Sequence, residues 1–315
     1  MGWLQLLAGW LLLSSTFFAI FSADGCEAIF GSRADPGSVK VDITDAPVDE
    51  VDTVRLSISR LEFGEDTDDA EGRTRNVNRT VENLLDLQHG KTQRLLDDEL
   101  RSGDYEWIRL YLDPDGSEVV ADDGSVLALN TTTGTDGEST LRVDGSFTVE
   151  EDETLRLVID VELRQALVSG VGGYLLRPVL RLMDRAHTGA LEGTVASSLV
   201  DDNDCINDLS ADEGKGRGNA VYLYEGEDRE PVDINRDDDG LSPDPHPPHS
   251  VIPVRMDLDS GEYRYRSGFL PAGDYTLAFS CQAMADFPDE ANSLEFSGVT
   301  NIRIEEGETL EHDIE

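Results

Sequence analysis

Asn235–Arg236–Asp237–Asp238–Asp239–Gly240 sets oxygen-bearing side chains at alternate positions and then a glycine. That is the opening of a calcium loop, in which the glycine makes the sharp turn. Asn235, Asp237 and Asp239 are therefore the candidate ligands, and calcium is the candidate cofactor; no other cofactor is expected. The loop's twelfth position should carry Glu, but His246 stands there. Asp201–Asp202–Asn203–Asp204 and Asp208 could add oxygens beside Cys205. In a chain with 66 acidic residues such clusters arise easily, so a solvated acidic loop is the competing reading. His246 and His249, with Asp244, lie in a proline-rich stretch. Two imidazoles three apart could hold zinc or copper. The prolines stiffen the segment into an extended form that turns such residues apart, which favours an exposed linker.

Catalytic signals are weak. The chain has five histidines, and it contains no Gly-x-Ser-x-Gly elbow, no His-Glu-x-x-His and no phosphate-cradling glycine loop. A carboxylate pair of the glycosidase kind is conceivable, but nothing singles out two of 66 acids. The sequence therefore reads as a non-enzyme, with a carboxylate-based hydrolase as the alternative. Tyr105, Trp107 and Tyr111 alternate along one strand and are expected to share a face with Arg109. Tyr263 and Tyr265 alternate with Arg264 and Arg266. Such rows can stack sugar rings, so a carbohydrate-binding accessory protein is a further alternative; half-buried packing is the simpler one.

Charge excludes one class outright. The formal net charge is −41, so a polyanion such as nucleic acid would be repelled. Of the 25 basic residues only Lys40, Lys91 and Lys215 are lysine. An acidic, lysine-poor surface suits salty water, where cations screen self-repulsion. Residues 2–22 carry no charge and end in Ala23–Asp24–Gly25–Cys26. The run suits a secretory signal or a membrane anchor, although no Lys or Arg precedes it. Ala23 and Gly25 fit a bacterial lipoprotein box, while Asp24 does not. Cys26 is the expected lipidation site, and an uncleaved anchor with a free Cys26 is the alternative. Either way the remainder is exported. With Cys26 set aside, two of the three cysteines remain, and Cys205 and Cys281 are expected to form a disulfide in an oxidising compartment. Closing that 76-residue loop would contribute roughly 4 kcal/mol on the chain-entropy model.

Period-two alternation dominates the rest. Val39–Val41–Ile43, Val54–Leu56–Ile58, Ile108–Leu110–Leu112 and Leu141–Val143–Phe147–Val149 each mark a half-buried strand. Leu155, Leu157, Ile159 and Val161 alternate with Arg156, Asp160 and Glu162, which are assigned to the opposite face. Asp115–Gly116, Asp123–Gly124, Asp136–Gly137 and Asp144–Gly145 are read as turns. Val81–Leu87 or Arg94–Leu100 could hold a helical turn. A seam falls near Arg185–Gly189, followed by a second strand series and an acidic, proline-rich loop, Asp233–Pro248. Gly103–Asp104–Tyr105 and Gly273–Asp274–Tyr275 echo one another, each opening a strand with a tyrosine placed for a sandwich corner. The fold expected is all-β: two tandem antiparallel β-sandwich domains after an N-terminal apolar signal or anchor segment.

The words of the first half are also familiar. Val41–Asp42–Ile43–Thr44–Asp45–Ala46–Pro47, Leu84–Leu85–Asp86–Leu87, Ser102–Gly103–Asp104–Tyr105, Asp160–Val161–Glu162–Leu163–Arg164 and Leu176–Arg177–Pro178–Val179–Leu180–Arg181–Leu182 occur in order. Together they resemble a bacterial lipoprotein family known as domain of unknown function 4382, over about residues 36–186. The chain departs from it at Ala128–Ser139, where the family tends to carry a Pro-Ser and Ser-Gly segment. Gly193–Thr194–Val195, Ala220–Val221–Tyr222–Leu223–Tyr224 and Phe269–Leu270–Pro271–Ala272–Gly273–Asp274–Tyr275 are similar to carboxypeptidase-regulatory-like, transthyretin-like domains. The division expected is 1–26 signal peptide or membrane anchor, 27–36 linker, 37–186 first sandwich and 188–315 second sandwich. The resemblance implies no catalytic residue. It implies an exported protein of the bacterial envelope, at the outer membrane or in the periplasm, lipid-anchored to the membrane, with a binding or assembly role. Its partners would be an envelope protein or a polysaccharide, not nucleic acid.

Overall fold

The first sandwich begins at Pro36, where alternating valines and isoleucine leave the linker composition behind. Its strands are β1 (Pro36–Ala46), β2 (Val51–Gly64), β3 (Arg73–Val81), β4 (Gln93–Arg101), β5 (Gly103–Leu112), β6 (Glu118–Ala121), β7 (Val126–Thr131), β8 (Thr140–Val149), β9 (Thr154–Glu162), β10 (Leu167–Gly170), β11 (Gly173–Leu176) and β12 (Leu180–Asp184). The second comprises β13 (Thr188–Val195), β14 (Ala220–Glu225), β15 (Ser250–Pro253), β16 (Arg255–Met256), β17 (Tyr263–Pro271), β18 (Gly273–Ser280), β19 (Ser297–Ile304) and β20 (Thr309–Glu311). The computed structural model describes residues 35–46, 51–65, 72–131, 137–170, 172–209, 217–236 and 241–315. The apolar N-terminal run, Cys26, Asp237 and Asp239 lie outside the described residues.

One sheet of the first sandwich runs β12-β9-β1-β4. The other runs β10-β11-β7-β6-β2-β5-β8, with β3 also paired to β2. Val41, Ile43, Leu157 and Ile159 from the first sheet meet Leu56, Ile58, Ile108 and Leu110 from the second in one buried core. The second sandwich pairs β16-β17-β13-β20 with β15-β14-β18-β19, closing over Leu191, Tyr265, Val221, Leu277 and Ile304. Cys205 and Cys281 are joined by a disulfide.

Three details differ from the sequence reading. The sheets are not purely antiparallel: β1 runs parallel to β9, β7 to β11 and β13 to β20. Alternation reports which face is buried, not strand direction, so these pairs were invisible to it. Asp144–Gly145 is no turn but lies inside β8. A Cβ at Gly145 would sit 3.1 Å from Leu182 Cβ, so glycine admits that close packing. Of the two helical candidates, Leu84–Leu87 forms a 3-10 turn capped by Asn83, while Arg94–Leu100 is strand.

The echoed Gly-Asp-Tyr motifs are paired corners. Tyr105 donates to the Arg101 carbonyl at 2.9 Å, and Tyr275 donates to the Pro271 carbonyl at 2.8 Å. Both rings are buried, so each hydroxyl needs that carbonyl. We predict that Tyr105→Phe and Tyr275→Phe each lower unfolding stability by about 1 kcal/mol. Urea denaturation followed by circular dichroism checks this; midpoints identical to wild type would refute it.

Candidate functional site

The strand β9 is buried on both faces from Leu157 to Glu162. The hydrophobic face is core. The other face, assigned to solvent by its charges, is covered by the second sandwich. Glu162 is 1% exposed and Gln165 fully buried. Asp160 and Arg181 sit opposite one another across the β9–β12 pair, and Arg181 Nη2 donates to both Asp160 Oδ2 and Glu162 Oε1. Ser250 Oγ, from β15, donates to Glu162 Oε1 at 3.1 Å. Gln165 Nε2 donates to Glu162 Oε2 and to the Pro248 carbonyl. The short helix α1 (Leu163–Ala166) is buried at all four residues. From it Arg164 Nη1 donates to the Ala283 carbonyl at 3.1 Å. Arg177 Nη1 reaches the carbonyls of Arg236 and Pro288, each at 3.1 Å. At Gly268 a Cβ would lie 2.8 Å from Gly90 Cα, so the two backbones touch there.

Burial sets the electrostatics. It would strip the Arg181 proton, but Glu162 and Asp160 hold it on, and the net shift is upward. Burial pushes Glu162 up despite Arg181. Asp45 is pushed well up, first by burial and then by the Asp160 and Glu162 charges; only the Leu163 backbone N–H acts the other way. No hydrogen bond of ordinary geometry reaches either Asp45 side-chain oxygen. Asp45 therefore sits at the joint with its neutral form favoured, lining a cavity of about 20 Å³. In the second sandwich Asp286 is pushed up to about 6 by burial, against the Tyr222 hydroxyl and the Ile234 N–H.

A larger cavity of about 410 Å³ opens along the same joint. Glu162, Gln165 and Pro178–Arg181 form one wall; Glu225, Arg229, Arg236 and Pro245–His249 form the other. The sequence singled out His246 and His249 as a metal pair, and both line this cavity. They differ in role: His246 is exposed, whereas the His249 side chain is buried with Nδ1 2.8 Å from Glu225 Oε1. Burial and then Arg181 hold the His249 pKa down. Asn235 lies in the loop entering the cavity, half-buried. Asp202 Oδ1 accepts from the Asp204 N–H and the Asp202 carbonyl from the Cys205 N–H, closing a tight turn. Among the described residues no group of three or more His, Cys, Asp or Glu is arranged to hold a metal.

The aromatic row is corrected. A bulge between Tyr105 and Trp107 breaks the alternation of β5. Tyr105 turns into the core against Phe147 and Phe63, while Trp107 and Tyr111 take the opposite face. There Arg109 and Arg142 lie over the Trp107 ring at 4.6 and 4.9 Å, and Arg60 lies 3.6 Å over Tyr111. Trp107 is fully buried, so its ring face is already occupied. Tyr263 and Tyr265 are buried in the second core.

Residues 36–178 match the family described as "Domain of unknown function (DUF4382)". That stretch holds Asp45, Asp160, Glu162, Arg164 and Arg177, though not Arg181. No curated protein matches the chain. Among solved structures, the minor pilin GBS52 of Streptococcus agalactiae aligns at 13% identity over 87% of this chain and 94% of its own, with a TM-score of 0.19. The Bacillus anthracis TIE protein aligns at 13% identity over 88% and 34%, TM-score 0.18. The fimbrial anchor protein Mfa2 of Porphyromonas gingivalis aligns at 10% identity over 78% and 79%, TM-score 0.18. TM-scores this low carry no argument about this chain.

Asp45 yields a pH test. Its folded pKa lies above the unfolded value of about 4. The folded state therefore holds the proton more tightly, and stability falls as pH rises above about 4 until the folded pKa is passed, by up to ~1.4 kcal/mol per unit. Asp45→Asn removes that loss. We predict melting temperatures near wild type at pH 4 and progressively higher than wild type at pH 6 to 8. A variant less stable than wild type at pH 8 would contradict the assignment.

Proposed function

We propose that this chain is an exported, non-catalytic protein of the bacterial envelope, lipid-anchored at Cys26, acting by binding or assembly. The carrying observation is where the joint's carboxylates go. Asp160 and Glu162 are tied to Arg181 across two strands, Glu162 is further held by Ser250 and Gln165, and Asp45 faces space for about one water molecule. A glycosidase pair needs both carboxyl groups to reach a sugar between them. Here Asp160 and Glu162 are tied to Arg181 within the first sandwich, and Glu162 also accepts from Ser250 of the second. The disulfide suits an oxidising compartment, and the apolar run ending at Cys26 suits export. Glu27 after the cysteine resembles an outer-membrane sorting pattern. The strands from Thr188 onward are read as a carboxypeptidase-regulatory-like module, and the cavity between the sandwiches is the binding site of this reading.

Two assays test it together. Fatty-acid labelling in a bacterial host should mark wild type and not Cys26→Ser; equal label in both would sink the anchor. A pull-down from envelope extract should retain a protein or polysaccharide that is released when the cavity variants below replace wild type. Turnover of a glycoside or ester panel by the purified protein, lost in Glu162→Gln, would instead establish the hydrolase alternative.

A further inference from the structure

Two nitrogen atoms among the cavity-lining residues, Arg181 Nε and His249 Nε2, are buried and have no hydrogen-bond partner. The His249 side chain is 7% exposed. Glu225 accepts at its Nδ1, and that hydrogen bond pulls the Glu225 pKa down and keeps the carboxylate ionised. The tautomer is thereby set with its proton on Nδ1, and Nε2 is left as the open edge. A buried polar atom without a partner costs about 1–3 kcal/mol, and two of them on one cavity call for a common partner. The wall carries three guanidinium groups, Arg181, Arg229 and Arg236, against two carboxylates, Glu162 and Glu225. In a chain of formal charge −41 this is a local reversal of sign. Prolines 178, 245 and 247 add apolar surface, and the volume suits a small polar ligand.

We propose that the cavity between the sandwiches binds a small oxyanion-bearing ligand, with Arg181 Nε and His249 Nε2 as the groups that meet the anion; this rests on the binding reading above. Arg181 donates from Nε while its Nη2 stays with Asp160 and Glu162. Arg229, whose Nε donates to the Glu225 carbonyl, flanks the site. His249 donates once its ring gains a proton at Nε2. The charged groups acting on the ring are Arg181 from β12, Glu225 from β14 and Asp160 from β9, and the Tyr275 ring of β18 stands edge-on at 5.5 Å. Glu162, Arg229, Arg236 and His246 line the same cavity. An anion placed here offsets the Arg181 charge that disfavours imidazolium, so binding takes up a proton. Affinity then falls as pH rises from 5.5 to 7.5, by at most about tenfold per unit.

The test is calorimetric titration of the full chain at constant ionic strength with galacturonate, inorganic phosphate and neutral galactose. The expected result is binding of galacturonate, tighter at pH 5.5 than at 7.5, with galactose not bound. His249→Gln and Arg229→Gln each weaken it tenfold or more while retaining the wild-type melting transition; using two variants guards against one failing to fold. Phosphate binding alone, with the same losses, keeps the oxyanion site and assigns free phosphate over a sugar acid. Absence of binding by either anion, equal binding in both variants, or binding independent of pH overturns the inference. Galactose binding as tightly as galacturonate overturns the anion class yet leaves the binding reading standing.

Discussion

The half-buried Arg181 guanidinium, held between Asp160 and Glu162 within the first sandwich, is the interaction on which the face presented to the joint depends. Taking these charges out of water costs several kcal/mol per ion unless geometry and further hydrogen bonds offset it. Ser250 and Gln165 supply those bonds, and Ser250 comes from the second sandwich. Ser250 of the second sandwich thus completes the hydrogen bonding of Glu162. Arg164 and Arg177 repeat the arrangement, donating across the joint to the carbonyls of Ala283, Arg236 and Pro288. The contact is polar and largely buried.

This arrangement explains a chemistry that would otherwise look catalytic. Clustered carboxylates with raised pKa values, in a cleft, are a common mark of an active site, and structural ion networks produce the same mark. At Glu162 the partners Arg181, Ser250 and Gln165 belong to the joint. The cavity beside them has a different character, because its unpartnered nitrogen atoms belong to basic side chains. In the proposed binding role Arg181 would serve both ends: its Nη2 holds the strands, while its Nε has no hydrogen-bond partner.

Much of the fold was legible in the residues. Alternation located the strands of both cores, and the two Gly-Asp-Tyr words marked two corners that the hydrogen bonds of Tyr105 and Tyr275 now define. The joint was not legible. Asp160 and Glu162 alternate with apolar residues as solvent-facing acids do, and a period of two says nothing about whether the second face is covered. A usable signal was present in the arginines: Arg164, Arg177 and Arg181 stand close in sequence to those acids, within otherwise apolar stretches. Trp107 shows another limit. One bulged residue before it reversed the face of Tyr105, and no pattern in Gly103–Leu112 announces that bulge. The proline-rich stretch around His249 reads as an exposed linker, but the His249 side chain is buried against Glu225, which lies on a different strand that only the topology brings near.

Cooperativity of unfolding tests the central claim most directly. If the buried network makes the two sandwiches one unit, scanning calorimetry at neutral pH shows a single transition whose calorimetric and van't Hoff enthalpies agree. Glu162→Gln, which leaves Arg181 partly uncompensated, should then split that transition into two. Two separate transitions already present in the wild-type protein would contradict the account.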